Sequence, residues 1–437
     1  MGERLRILIC APEAPMAPLN GLRLVVANVS RELARRHDVI LVAPAQARRQ
    51  EAARQRRDMP SREPPSSDRS PDRAAIQGVT LHAVPPPTDT VLARTGRRIA
   101  SLVRRIPVEA LVNRAPMMRA VTALRAAHRF DAALVFGGGL AGIADALAGI
   151  PAVVAPLDAW DLNEAAAAAA AHGPRRWWRH AQRMLVRRYT ARAYRPFHAV
   201  VLVTAEDARH AAALDPTLAT AVIPVGVDTH HFSPGQSASR DEATVLFTGT
   251  LDYAPNVAAA TFLATDVLPR LRQSVPRARL RIAGRRPGTA VTRLAQPPVV
   301  EVLGDVDDLR QVLRPATVFA CAMTTGTGLK NKLLEAMACG APAVSTTLGM
   351  RGLDVSDGRE LLVADDAEAF AAALARVLTT PVLARELSGR ARRYAVQRHA
   401  WASVGERYEA LLAEASRSAH PSIELDEGPG GARGRVI

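Results

Sequence analysis

Short apolar runs rich in β-branched residues alternate with helical periods along almost the whole chain, and this alternation restricts the fold to layered parallel α/β units. Runs at 7–11, 39–42, 79–83, 133–136, 152–155 and 199–203 read as buried strands with helices between them. One such helix, over 22–36, carries Leu24, Val25, Val29 and Leu33 on a single face. A break follows at Val222-Ile223-Pro224-Val225-Gly226-Val227-Asp228, then a Pro/Gly/Ser-rich stretch to 240. A second series has strands at 244–247, 278–283, 299–302, 317–320, 343–345 and 361–363. Its helices fall at 256–273, 330–338 and 367–377, with Asp365 and Asp366 as candidate N-caps for the last, and long helices fill 382–416. The expected division is a first domain over 1–203 with a mobile insertion at 46–75, a second over 204–395, a crossing helix at 396–416 and a disordered tail over 417–437. Two doubly wound units in series place a ligand in the cleft outside the carboxyl ends of their strands.

Composition sharpens where that ligand binds. Of 57 Lys+Arg residues only Lys330 and Lys332 are lysine, and both stand where a glycine-bearing turn, Thr325-Gly326-Thr327-Gly328-Leu329, opens a helix. Free backbone N–H groups and the positive end of the helix dipole suit an anion there, and a compact ammonium adds a point charge for phosphate. The net charge of +15 is unevenly spread. Residues 92–129 hold nine arginines against one acid, Glu109, and 174–195 hold eight against none, with Trp177, Trp178, Tyr189 and Tyr194 among them. Two readings stand: basic helices lying on anionic lipid, or solvated helix faces. Nucleic acid is not a partner on this evidence, since no helix-turn-helix, zinc-finger or RNP-type pattern accompanies the charge. Cys10, Cys321 and Cys339 are scattered in apolar segments without metal or disulfide spacing, which points to a reducing cytoplasm. No apolar stretch of about 20 residues is present, so none is long enough to span a bilayer as a helix.

From about residue 200 to 415 the chain resembles the retaining GT-B glycosyltransferases of glycosyltransferase family 4. The residues that carry the resemblance are Val203-Thr204-Ala205-Glu206-Asp207, Val222 to Asp228 followed by Phe232-Ser233-Pro234, and Leu246-Phe247-Thr248-Gly249-Thr250-Leu251. They continue with Arg279-Leu280-Arg281-Ile282-Ala283-Gly284 and Val302-Leu303-Gly304-Asp305-Val306. The sharpest is Leu334-Glu335-Ala336-Met337-Ala338-Cys339-Gly340-Ala341-Pro342. The first half fits through Asn20-Gly21 and Arg36-His37-Asp38-Val39.

The resemblance implies two Rossmann-like domains facing a cleft, with C-terminal helices returning to the first. It implies transfer of a hexosyl group from a nucleotide-diphosphate sugar, UDP- or GDP-linked, to a hydroxyl acceptor with retention and no metal or other cofactor. The acceptor would be a carbohydrate, a lipid-linked sugar or a small molecule, at the inner face of the cell membrane if lipid-linked. Gly249, Thr250, Arg285, Thr327, Gly328, Leu329, Lys330, Asn331 and Glu335 would hold the donor, Lys330 and Glu335 being the catalytic pair. Glu335 fills the second glutamate of the Glu-x7-Glu motif, suited to accept from both ribose hydroxyls. Lys332 either joins the phosphate site or pairs with Glu335 on the helix surface. Asn20, Gly21, Arg23 and Asp158 would line the acceptor side. Asp158 and Asp161 read either as acceptor groups or as caps.

Departures leave two outcomes open. Thr327 stands for the first glutamate, Thr250 for the phosphate-binding arginine, and the lysine that follows it is missing. Either Lys330 and Arg285 supply the lost charge, or donor use is impaired. The alternatives to transfer are a GT-B sugar-nucleotide 2-epimerase and a non-turning-over binding subunit. Asp305-Val306-Asp307-Asp308 reads as a cap for a helix near Leu309 rather than as a metal motif, and His230-His231 lacks a second ligand pair.

Overall fold

The computed structural model describes residues 4–16, 21–45, 76–87, 90–169, 171–235, 243–326 and 331–419. The insertion expected at 46–75, the chain beyond 419, and Asn20, Thr327, Gly328, Leu329 and Lys330 lie outside them. Strands β1 (Arg6–Cys10), β2 (Asp38–Pro44), β3 (Val79–Val84), β4 (Ala132–Phe136), β5 (Ala152–Leu157), β6 (Ala199–Leu202) and β7 (Thr220–Val222) form one parallel sheet in the order β3-β2-β1-β4-β5-β6-β7. A second parallel sheet, in the order β10-β9-β8-β11-β12-β13, contains β8 (Thr244–Thr248), β9 (Arg279–Ala283), β10 (Val300–Leu303), β11 (Val318–Cys321), β12 (Ala343–Ser345) and β13 (Leu362–Val363). Central strands are apolar on both faces because helices cover both: every residue of β4, β8 and β11 is buried. The strand order reverses between β1 and β4 in the first sheet and between β8 and β11 in the second, which opens one crevice in each.

The first sheet runs on past residue 203. The helix Ala205–Leu214 and the three-residue edge strand β7, paired in register with β6, belong to it, so the change of domain falls in the linker after Val222 and not at 203. That strand lacks a run long enough to announce itself, and its residues are only partly covered. The helix expected over 256–273 is interrupted by a π-turn at Leu263–Val267.

The end of the chain ties the halves together. Ala384, Leu387, Ala391 and Ala395 of the helix Pro381–His399 pack into the second core. The chain turns at Ala400, which bridges Val227, and the helix Trp401–Ala419 crosses over. Its Trp401, Val404, Tyr408, Leu412 and Ala415 complete the first domain's core against the helix Gly21–Ala34. The two helices approach so closely at Gly405 that a Cβ there would stand 2.5 Å from the Glu32 Cβ. Arg36 meets Glu409 at 2.9 Å, and His37 accepts from the Leu5 amide at 3.1 Å. Residues 417–419, expected in a disordered tail, are the last of this helix. Across the domains Arg351 pairs with Glu206, Nε to Oε2 at 2.9 Å. Both follow carboxyl ends of strands, so the two crevices open toward the same side.

Candidate active site

The second crevice is built from the turn that ends β8. The Gly249 amide donates to the Ala283 carbonyl at 3.1 Å, Leu251 N donates to the Arg285 carbonyl at 2.8 Å, and Asn256 Nδ2 donates to the Thr250 carbonyl at 2.9 Å. Gly284 has φ 151°, and a Cβ on it would lie 1.7 Å from the Gly249 carbonyl oxygen, so only glycine lets the ends of β8 and β9 come this near. The helix Asn331–Ala338 starts at the same place, after β11. From its first turn Lys332 sends its ammonium to the Asn256 Oδ1, 3.7 Å from Met323 Sδ and 4.5 Å from the centre of the Phe247 ring. Phe247 belongs to β8 and Met323 follows β11, so this charge bridges the two sides of the point where strand order reverses. The aromatic face favours a cation there.

Glu335 lies one turn further along the same helix and is half-buried. Burial pushes its carboxyl up to about 7, and the nearby Lys332 charge acts in the opposite direction. Among the described residues no side chain donates a hydrogen bond to it. A desolvated carboxylate of this kind is primed for hydroxyl donors brought by a ligand. Lys332, read from sequence as a phosphate contact or a surface partner for Glu335, is held against Asn256 and Phe247 beneath the Gly249 turn, near enough for its charge to act on Glu335.

The first crevice, between the ends of β1 and β4, holds a cavity of about 530 Å³ lined by Pro12, Glu13, Asn113, Gly137, Asp158 and Trp160, among others. Asn113, at φ 62°, donates from Nδ2 to the Pro12 carbonyl at 3.1 Å and fixes one wall. Glu109 also lines it, its carboxyl raised by desolvation and by Glu164 and lowered by Arg179. Neither Asn113 nor Glu109 carries a local signal that separates it from an ordinary loop or helix residue.

Of the expected residues, the structure brings Gly249, Thr250, Asn331 and Glu335 around the second crevice, and Asp158 and Arg23 around the first. Arg23 Nε is held 2.6 Å from Glu13, a cavity-lining carboxylate. Gly21 opens its helix without positive φ, and no atom stands within 4 Å of the place of its missing Cβ, so no close approach there requires glycine. Arg285 is exposed and contributes its carbonyl to the turn; the neighbouring Arg286 is spent on Asp252 at 3.1 Å. Asp161 is a buried partner of His210 at 2.9 Å and of Arg187, which removes it from the acceptor role. Asp308 accepts from the Arg310 amide at 2.9 Å beside the start of the short helix Arg310–Leu313, whose N-cap position is Leu309, and the Arg310 guanidinium holds its carboxyl down at about 2. His230 and His231 donate their amides to Asp228. No group of three or more His, Cys, Asp or Glu that could hold a metal occurs among the described residues.

Two doubly wound domains, paired crevices and a returning C-terminal helix define the GT-B fold. Residues 242–380 match the family model described as glycosyl transferases group 1, so the second domain is a group 1 glycosyltransferase domain. The chain is 31% identical over 208 residues to the phosphatidyl-myo-inositol mannosyltransferase of Mycobacterium leprae, covering 45% of this chain and 54% of that one. It is 30% identical over 227 residues to a GDP-mannose-dependent alpha-(1-6)-phosphatidylinositol monomannoside mannosyltransferase of Mycolicibacterium smegmatis, covering 47% and 59%. An alpha-maltose-1-phosphate synthase of the same organism is 31% identical over 163 residues, covering 35% and 40%. The chain therefore spans about half the length of the curated relatives it matches. Among solved structures, Anabaena HepE in complex with UDP superposes with a TM-score of 0.63 at 15% identity, over 94% of this chain and 100% of that one. Sucrose-phosphate synthase from Thermosynechococcus elongatus gives 0.64 at 17%, over 94% and 99%. At such identities the likeness establishes the fold.

Proposed function

We propose that the protein transfers a hexosyl group from a UDP- or GDP-linked sugar to a hydroxyl of a carbohydrate, lipid-linked or small-molecule acceptor, retaining the anomeric configuration and using no metal. The observation that carries this is the ammonium of Lys332 held beneath the Gly249 turn at the start of the Asn331–Ala338 helix, inside a group 1 glycosyltransferase domain. In this mechanism the donor diphosphate lies across the helix N-terminus. Charge that develops on it as the glycosidic bond breaks is stabilised by backbone N–H groups, by Lys332 and by Lys330. Glu335, as carboxylate, accepts from two vicinal ribose hydroxyls and fixes the nucleoside. The acceptor hydroxyl enters from the first crevice and gives its proton to a departing phosphate oxygen, so no separate base is required. Mannosyltransferases of phosphatidylinositol glycolipids among the relatives support a lipid-linked acceptor and a peripheral station at the inner face of the membrane.

A thermal-shift panel of nucleotides and nucleotide sugars tests the donor, since a ligand that binds only the native state raises the unfolding temperature. Free nucleotide diphosphate is then expected only when an acceptor is supplied, with the product anomer matching the donor by NMR. Release of nucleotide diphosphate without any acceptor, or an inverted product, would refute the mechanism.

A further inference from the structure

The helix Val91–Arg104 is amphipathic, and it faces the wrong way for a helix of a water-exposed protein. At about 100° per residue, Val91, Leu92, Ile99, Leu102 and Val103 fall within an arc of about 120°, and all five are more than half exposed, Leu92 at 86% and Val103 at 78%. The opposite side, toward the body of the protein, holds Ala93, Arg97, Ala100 and Ser101, of which Ser101 is fully buried. Both ends are fixed. Thr90 accepts from the Ala93 amide at 3.2 Å, and Arg105 at φ 53° returns its amide to the last turn. The apolar face is thus presented by a capped helix, and such a face in a protein with ordinary cores marks a docking surface.

The surface beside it is cationic. Arg104 and Arg105, next in sequence to Leu102 and Val103, line a cavity of about 750 Å³ together with Arg114, Arg188 and Arg192. The one acid in its lining is Asp145, and among the described residues none of these five guanidiniums is engaged in a hydrogen bond or ion pair. Met184, one turn before Arg188 on the helix Pro174–Ala193, is exposed, and so is Trp177 on the same side two turns earlier. Of Tyr189 and Tyr194, read from sequence as interfacial aromatics, Tyr194 is buried in the first domain, and Tyr189, largely buried, meets this surface only in the wall of the cavity.

We propose that this face docks on an anionic lipid bilayer, the outward apolar stripe of Val91–Arg104 entering the headgroup boundary and the five-arginine cavity receiving headgroup phosphates. An apolar ridge alone would fit many partners, and a basic cavity alone would fit any phosphate. An apolar stripe beside a cluster of guanidiniums matches a phospholipid surface, where acyl chain and phosphate lie within one side-chain length of each other. The surface assigns a place to the peripheral contact suggested above and rests on that lipid-linked reading, but it uses no residue of the donor crevice.

Flotation of the full chain with vesicles of phosphatidylcholine, with and without about 30% phosphatidylglycerol, tests it. Binding is expected only to the anionic vesicles and is expected to weaken between low salt and 0.5 M salt, where screening shortens to about a few ångströms. Leu92→Glu with Val103→Glu should abolish flotation. Arg188→Ala with Arg192→Ala should cut affinity by about fivefold per arginine, with unfolding temperatures unchanged in both. Flotation unaffected by either pair, equal binding to neutral vesicles, or displacement by millimolar glycerol phosphate would overturn the proposal. A nucleotide thermal shift run on the same samples separates the two ideas: loss of that shift with flotation intact refutes the donor site and leaves the docking face standing.

Discussion

Glu335→Gln should make the protein more stable and less able to bind nucleotide at the same time. In the native state burial raises this carboxyl from an ordinary 4.5 to about 7. That gap corresponds to about 3 kcal/mol of unfavourable ionisation in the folded chain. The sign follows from proton binding. Between 4.5 and 7 the native state keeps a proton that the unfolded state has released, so this group's contribution to stability declines as pH rises and levels off above 7. Glutamine has the same shape and nothing to ionise. Denaturant unfolding of the two proteins should therefore coincide at pH 4 and diverge until the variant is ahead by 1–3 kcal/mol at pH 8, about 3 being the ceiling set by full desolvation. Taking the difference between variant and parent at each pH cancels every other titrating group. In the same preparation the nucleotide-induced rise in unfolding temperature should shrink, because an amide cannot accept from two hydroxyls as a carboxylate does. A stability difference flat across pH 4–8, or a variant less stable at pH 8, would refute the assignment of Glu335 as a buried carboxylate kept for ligand.

Lys332→Met should weaken nucleotide binding by about 1.5–3 kcal/mol, as expected for a hydrogen bond to a charged group. Lys332→Arg should not restore it, since the slot between Asn256, Phe247 and Met323 is shaped for an ammonium; titration calorimetry reports both. Gly284→Ala should lower stability by more than about 3 kcal/mol and abolish nucleotide binding, because the new methyl meets the Gly249 carbonyl. Tyr408→Ala should cost about 3–5 kcal/mol in urea unfolding, leaving a void in the first core. His399, buried between the Val225 carbonyl and Tyr394, is depressed to about 4 by desolvation. Its contribution is therefore present above pH 6.5 and is lost as the pH falls toward 4, and His399→Gln should remove that part of the acid limb in unfolding curves.

The strands of both sheets were legible because they are short, apolar and buried on both faces, so composition alone marks them. The edge strand β7 was not, since three partly covered residues carry no such mark. The helix bearing Lys332 and Glu335 was legible from its glycine turn and apolar period. What sequence could not supply was the direction of the side chains: Lys332 finds Asn256, 76 residues earlier, and Phe247 of β8, a pairing set by the strand order β8–β11. Asp161 looked equivalent to Asp158 until the fold buried it against His210. The outward face of Val91–Arg104 is the clearest case. Its pattern is that of any core-facing helix, and only the fold reveals which side meets water.

The last helix has a consequence for biosynthesis. Because Trp401, Val404, Tyr408 and Leu412 furnish part of the first domain's interior, that domain cannot close while it leaves the ribosome, even though its strands emerge first. The earlier half must wait with an apolar trough uncovered until the helix Trp401–Ala419 has been made. Truncation near residue 400 would leave the groove beside Gly21–Ala34 open in the first domain, while the second keeps the helix Pro381–His399 that completes its own core.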